Sequence, residues 1–206
     1  DGTVTVNLSG LNVAPSNTYT VTLTGTSTTI TKQTTVDLTL TDGVCPSDGN
    51  LEFQTRTTGV IFNSINNLDA SPKTSAYSDF TSISTDVEAG MDYDLSVRAN
   101  SDGNFQIITR VWIDWNQNCS FDDPGEEYDL GTSANIIDQL TDNSPLSVIV
   151  PIDATAGTTV MRVSTKYTNP NANQFPTSCE TGFDGEVEDY SLNIINNLSS
   201  IAEDRR

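Results

Sequence analysis

Apolar residues recur at every second position through most of the chain. Near the start, Val4, Val6 and Leu8 alternate with polar residues, as do Tyr19, Val21 and Leu23, then Val36, Leu38 and Leu40. A period of two places one face of a strand against a core and leaves the other in water. The same period returns at residues 60–65, 77–83, 93–99, 105–113, 146–150, 159–167 and 186–195. Most of these runs are bounded by Gly, Asn, Asp or Pro, the residues that turns select. Residues 134–140 form the one weak helix candidate. Strands at this spacing with such turns predict an all-β fold, an antiparallel β-sandwich or jelly-roll-like domain with a small N-terminal β segment. Three regions follow: a Thr-rich segment at 1–41, the main sandwich at 42–198, and a polar linker at 199–206 leading to a further module.

Composition narrows the chemistry. The chain has 206 residues, 28 acidic and 9 basic, a net charge of -19 and no histidine. Serine or cysteine triads of the usual kind, HExxH zinc sites and His-ligated metals are thereby excluded. Nucleic acid and anionic membrane surfaces are disfavoured as partners, since both demand clustered Lys and Arg. No apolar run reaches the length of a membrane helix, so no membrane insertion is expected. Cys45, Cys119 and Cys179 lie far apart without CxxC spacing, which fits one disulfide and one free thiol in a secreted or cell-surface protein, with three buried, reduced cysteines as the alternative.

Two stretches break the alternation. From Asp114 to Glu127, side-chain oxygens fall at Asp114, Asn116, Asn118, Ser120 and Asp122. In a calcium loop such spacing turns alternate donors toward one hard cation. The first, third and fifth positions of the D-x-[DN]-x-[DN]-G loop fit, Cys119 stands where glycine is wanted, and the closing acid, Glu126, falls one place late. The second stretch is Gly185-Glu186-Val187-Glu188-Asp189-Tyr190. Alternation sets Tyr190, Leu192 and Ile194 on the core face, and the same parity carries Glu186 and Glu188 there. Buried carboxylates must be protonated, paired or metal-bound. Arg162 and Lys166 are the candidate partners, and a calcium ion shared with the Asp114 loop is the other resolution. A β-bulge turning both glutamates outward is the structural alternative.

Those motifs are recognisable. Gly185 to Tyr190 resembles the signature of the GEVED-domain family of secreted Bacteroidetes proteins. The resemblance extends through Tyr77-Ser78-Asp79-Phe80-Thr81, Val111-Trp112-Ile113-Asp114-Trp115-Asn116-Gln117 and Met161-Arg162-Val163-Ser164-Thr165-Lys166-Tyr167, and covers about residues 44–195. It implies an accessory module without catalytic residues, preceded here by the end of an Ig-like region. The family's loop usually carries Asp-Gly where this chain has Asn118-Cys119, so one carboxylate and the turn glycine are missing. The family commonly places one cysteine near Cys45 and another where Cys179 stands. Either Cys119 or Cys45 pairs with Cys179; Cys119–Cys179 is the expected disulfide, because Cys119 displaces the usual glycine.

The functional expectation is a calcium-stabilised binding or adhesion module whose ligand is polysaccharide or extracellular protein. The expected metal ligands are Asp114, Asn116, Asn118, Ser120, Asp122, Glu126, Glu186 and Glu188. Trp112, Trp115, Tyr128 and Tyr167 are the aromatics available to a ligand. A structural stalk self-associating through the N-terminal strands is the alternative. Glycoside hydrolysis by a carboxylate pair drawn from Asp114, Glu186, Glu188 and Asp189 ranks behind both.

Overall fold

In a computed structural model of the chain, the residues described are 17–26, 29, 31–40, 43–171 and 174–196. The predicted strand at Val4, Val6 and Leu8 and the linker at 199–206 lie outside them. The chain divides into two compact units, Asp1–Gly43 and Val44–Arg206.

In the first unit, β1 (Asn17–Thr26) and β2 (Thr31–Leu40) form an antiparallel hairpin. Its register runs from Asn17 opposite Leu40 to Thr26 opposite Thr31. Val21 faces Val36 across the pair, as the shared period of two requires.

The second unit is two β-sheets packed face to face. Its strands are β3 (Arg56–Phe62), β4 (Ile65–Leu68), β5 (Tyr77–Glu88), β6 (Asp92–Asn100), β7 (Gln106–Ile113), β8 (Glu127–Ala134), β9 (Gln139–Leu140), β10 (Leu146–Ile149), β11 (Gly157–Thr168) and β12 (Gly185–Ile195). One sheet runs β10-β6-β3-β4, with β9 also on β6, and the other runs β5-β12-β11-β7-β8. Ladders are antiparallel except β5 with β12, which is parallel. Val60, Phe62, Leu95 and Val97 from the first sheet meet Val111, Ile113, Met161, Val163, Tyr190, Leu192 and Ile194 from the second in one buried cluster.

The predicted strand at 60–65 is in fact a hairpin. Phe62 ends β3 opposite Ile65 of β4, and Asn63 between them takes a left-handed φ of 50°, which Asn tolerates better than most residues. The helix expected at 134–140 does not form. Those residues are the end of β8, a turn with left-handed Asn135 and Asp138, and the short β9. β8 begins where the acidic stretch ends, and in it Glu127 and Asp129 face solvent while Leu130 enters the core. Among the described residues no helix is long and apolar enough to cross a membrane.

Around Trp112, Arg162, Ser164, Val187 and Asp189 the second sheet is buried on its outer face as well. Residues 45–49 and 178–183 lie across its outer side, joined by a Cys45–Cys179 disulfide and a bridge between Gly49 and Phe183. This corrects the expected Cys119–Cys179 pairing: Cys119 is a free, exposed thiol. The bond closes 134 residues into a loop, which restricts the unfolded chain strongly. Cys45→Ser is expected to lower unfolding free energy by roughly 2–5 kcal/mol. Cys119→Ser should be nearly neutral. Urea unfolding of both variants checks this, and thiol titration of the denatured, unreduced chain should find a single reactive group.

Candidate functional site

The acidic loop leaves the end of β7 and returns at β8. Asp114 is buried, and its carboxylate collects two backbone amides, Asn118 N at 3.1 Å on Oδ1 and Cys119 N at 3.0 Å on Oδ2. Asn116 Nδ2 and Asn118 Nδ2 both donate to Asp123 Oδ2, at 3.1 and 2.7 Å, which draws that carboxylate below its ordinary value. Glu126 is only 2% exposed. Its Oε1 accepts Trp115 N at 2.8 Å, while Oε2 is buried with no hydrogen-bond partner. Burial pushes its carboxyl up to about 7. Cys119 has φ of 67°, the left-handed turn that a loop glycine would supply. The loop thus keeps the turn although the residue has changed.

Not every predicted donor takes part. Asp122 is exposed, Ser120 Oγ is occupied by Asp122 N at 3.1 Å, and Asp123 is the acid that meets the two asparagines. Among the described residues no three Cys, Asp or Glu side chains converge as a ready-made ion cage. Carboxamide and backbone oxygens would have to complete the donor set, as they do in calcium loops.

The motif strand lies elsewhere. Glu188 pairs in register with Val163, and Val163 with Val111, so Glu188 is a strand away from β7 and level with a residue three back from Asp114. Glu186 is further still, beside Thr165. The two glutamates therefore do not join the loop's donors, and one shared ion is ruled out by register. The one register shift along β12 comes after Tyr190, where the extra residues 81–83 belong to β5, so β12 has no bulge that turns the glutamates outward.

Each letter of the motif has a physical reason. A Cβ on Gly185 would sit 2.1 Å from Thr165 O, and one on Gly49 would sit 1.8 Å from Gly185 O, so the backbones cross at a distance that excludes side chains. Glu186 and Glu188 point between the sheets and Val187 and Asp189 point outward, all four buried. Asp189 holds Arg162 with two bonds of 2.8 and 2.7 Å. Tyr190 packs on Phe80, accepts Asn67 Nδ2 at 2.8 Å, and donates to Glu188 Oε2 at 2.8 Å.

The expected cationic partners of the glutamates are otherwise engaged, Arg162 with Asp189 and Lys166 with Glu180 at 2.5 Å. In their place stand Arg56 and Lys73, both buried, whose positive charge favours ionised Glu186. Lys73 Nζ is held by Thr55 O at 2.9 Å and Gly185 O at 3.1 Å. Sequence proximity missed both, because β3 and the loop before β5 approach β12 only through the sandwich. Desolvation dominates over these charges: it lifts Glu186 to about 7 and, with Glu186 nearby, Glu188 to about 8.

The predicted ligand-binding aromatics are largely internal. Trp112 is 2% exposed on the outer face beside Arg162, and Trp115 is 3% exposed in the core, its indole N–H donating to Tyr128 Oη at 2.8 Å. The outer face is covered by the disulfide-tied segments, which the alternation could not reveal. Tyr128 and Tyr167 are half-buried.

This is a disulfide-tied, two-sheet β-sandwich in which an interior strand, β12, carries a fully buried acidic motif. Residues 108–193 match the family model of the GEVED domain. The match opens inside β7 and closes in β12, taking in the loop and the motif strand together. No curated protein matches the chain.

Two neighbouring carboxylates of the motif, Glu188 and Asp189, should behave oppositely. Asp189→Asn leaves Arg162 charged and buried without its counter-ion and is expected to cost about 3–5 kcal/mol. Glu188→Gln should instead help at neutral and higher pH. Between its unfolded value of 4.5 and its folded value of about 8, the native state holds a proton that the unfolded chain lacks, so unfolding free energy falls as pH rises through that window. Removing the group should flatten the decline, and urea unfolding at steps across the window reads the slope. A steeper slope in Glu188→Gln would contradict the protonated assignment.

Proposed function

We propose that the chain is a non-catalytic binding module of a secreted or cell-surface protein, stabilised by calcium at the Asp114–Glu126 loop, with polysaccharide or extracellular protein as its ligand. The observation that carries the calcium half is the buried, unpartnered Oε2 of Glu126, set in a loop where Asp114, Asn116, Asn118 and Asp123 already approach one another and Cys119 supplies the left-handed turn. A buried carboxylate oxygen without a donor is costly, and a hard cation satisfies it. Asp114, Asn116, Asn118, Asp123 and Glu126 are the residues that would hold the ion. It would supply positive charge and cross-link the loop, nothing more.

Extracellular placement is supported by the Cys45–Cys179 bond, since disulfides persist in oxidising compartments. The charge of -19 keeps such a module soluble. The non-catalytic reading is supported by the burial of Glu186, Glu188 and Asp189, which removes the motif's carboxylates from any substrate.

Thermal unfolding in EDTA, then across a calcium series with magnesium as control, tests the reading. A calcium-specific rise is expected, approaching roughly 2.7 kcal/mol of added stability at a hundredfold excess over Kd. Glu126→Gln should abolish most of it and Glu186→Gln should not. An unchanged melting temperature in calcium overturns the metal assignment.

A further inference from the structure

At the end of the sandwich away from the acidic loop, three phenylalanines are left about half exposed, one of them, Phe175, with Arg110 over its ring. Phe53, Phe105 and Phe175 are 45%, 52% and 49% exposed, unusual for a residue type that normally fills cores. They gather about Tyr167, near the end of β11, whose ring meets Phe105 edge-on at 5.8 Å. Phe53, Asp102, Phe105, Tyr167 and Asp184 line a cleft of about 390 Å³. A second hollow of about 470 Å³ adjoins it, sharing Tyr167 and Asp184 and extending over Gln174 and Phe175. Both fall in the size range of small-ligand sites, roughly 300–1,000 Å³.

The polar groups select among occupants. Asp184 Oδ1 is buried without a hydrogen-bond partner, and Asp102 adds a second carboxylate. Lys166, which lines the second hollow, is already spent on Glu180 at 2.5 Å. Acceptors beside aromatic faces suit a sugar ring, which offers a flat C–H face for stacking and hydroxyl donors around its rim. A chain bearing uronate or sulfate would meet the carboxylates of Asp102 and Asp184 at the cleft, while the nearest cations are engaged elsewhere, Lys73 with backbone oxygens and Arg110 with Glu127 and the Phe175 ring. A peptide would find no free strand edge, because Tyr167 N is bonded to Asp184 O at 2.8 Å and Phe105 O accepts Asn135 N at 3.1 Å.

We infer that this aromatic cleft binds an uncharged polysaccharide, an assignment that rests on the binding-module reading above and gives its ligand a place and a class. Phe105 and Asp114 flank opposite ends of the eight-residue β7. At about 3.3 Å per residue the cleft and the loop are too far apart to share a ligand. Calcium would therefore act on glycan binding only through the stability of the fold.

Affinity electrophoresis of the full chain tests this, in gels containing hydroxyethylcellulose, xylan, galactomannan or laminarin, with alginate and carrageenan as anionic counterparts and an oligolysine peptide as competitor. Retardation by at least one neutral chain is expected, weakened about tenfold or more by Phe105→Ala and by Phe53→Ala. Both side chains are exposed, so the variants should keep the parent's melting temperature and its calcium response. Absence of retardation by every neutral chain overturns the inference. So does retardation that Phe105→Ala and Phe53→Ala leave intact, or binding confined to the anionic gels or the peptide. A calcium response without glycan retardation sinks the cleft and spares the metal; glycan retardation lost in Phe105→Ala without a calcium response does the reverse.

Discussion

The guanidinium of Arg162 is the point around which the outer half of the domain is organised. It is fully buried on β11, and it spends its donors on four acceptors: both oxygens of Asp189, Cys45 O and Ser178 O, the last two at 2.7 Å. Phe121 covers it, with the charge 5.3 Å from the ring centre. A charge this deep is tolerable only with its hydrogen bonds complete. The two carbonyls belong to the two segments that the disulfide joins, so ion pair and disulfide enforce one another. Remove the charge and those segments lose their anchor; remove the segments and the charge loses its shield.

On the inner side of the same sheet the order is different. Going along β11 and β12, the layer Met161 and Tyr190 is apolar, Val163 and Glu188 mixed, and Thr165 and Glu186 polar. Thr165 Oγ1 lies 2.9 Å from Thr57 Oγ1 and 3.2 Å from Thr109 Oγ1, which links both sheets by hydroxyls. Hydrophobic burial therefore closes one end of the sandwich and hydrogen bonding the other. The glutamates sit at the polar end, where a neutral carboxyl costs little, and Arg56 and Lys73 set a limit on how far their protons are held.

Much of this was legible from the sequence. Period-two alternation located seven strands of the sandwich and put Glu186 and Glu188 inside it. It missed β8, because the residues that serve the acidic loop and those that begin the strand are chemically alike: Glu126 turns in and Glu127 turns out. It also ran β3 into β4, since Asn63-Ser64 turns as tightly as a glycine pair without carrying glycine. The site was legible in part. The approach of Asp114, Asn116 and Asn118 within the loop is a local property, whereas the cations near Glu186 and the partner of Cys179 come from segments far earlier in the chain. Trp112 looked available to a ligand because nothing in a strand's own pattern says that its outer face is covered, and Trp115 because it lies beyond the end of β7, outside the alternation.

The same closure bears on how the molecule meets proteases. The bond from Cys45 to Cys179 encircles the strands from β3 to β11 and is itself held under Arg162. A single cut in any surface loop between those residues leaves both fragments in one covalent piece. β12 lies outside the circle but is paired with two strands inside it, β5 and β11. A nicked molecule of this design would run as two bands only after reduction, and would go on holding its shape where an unlinked sandwich would fall apart.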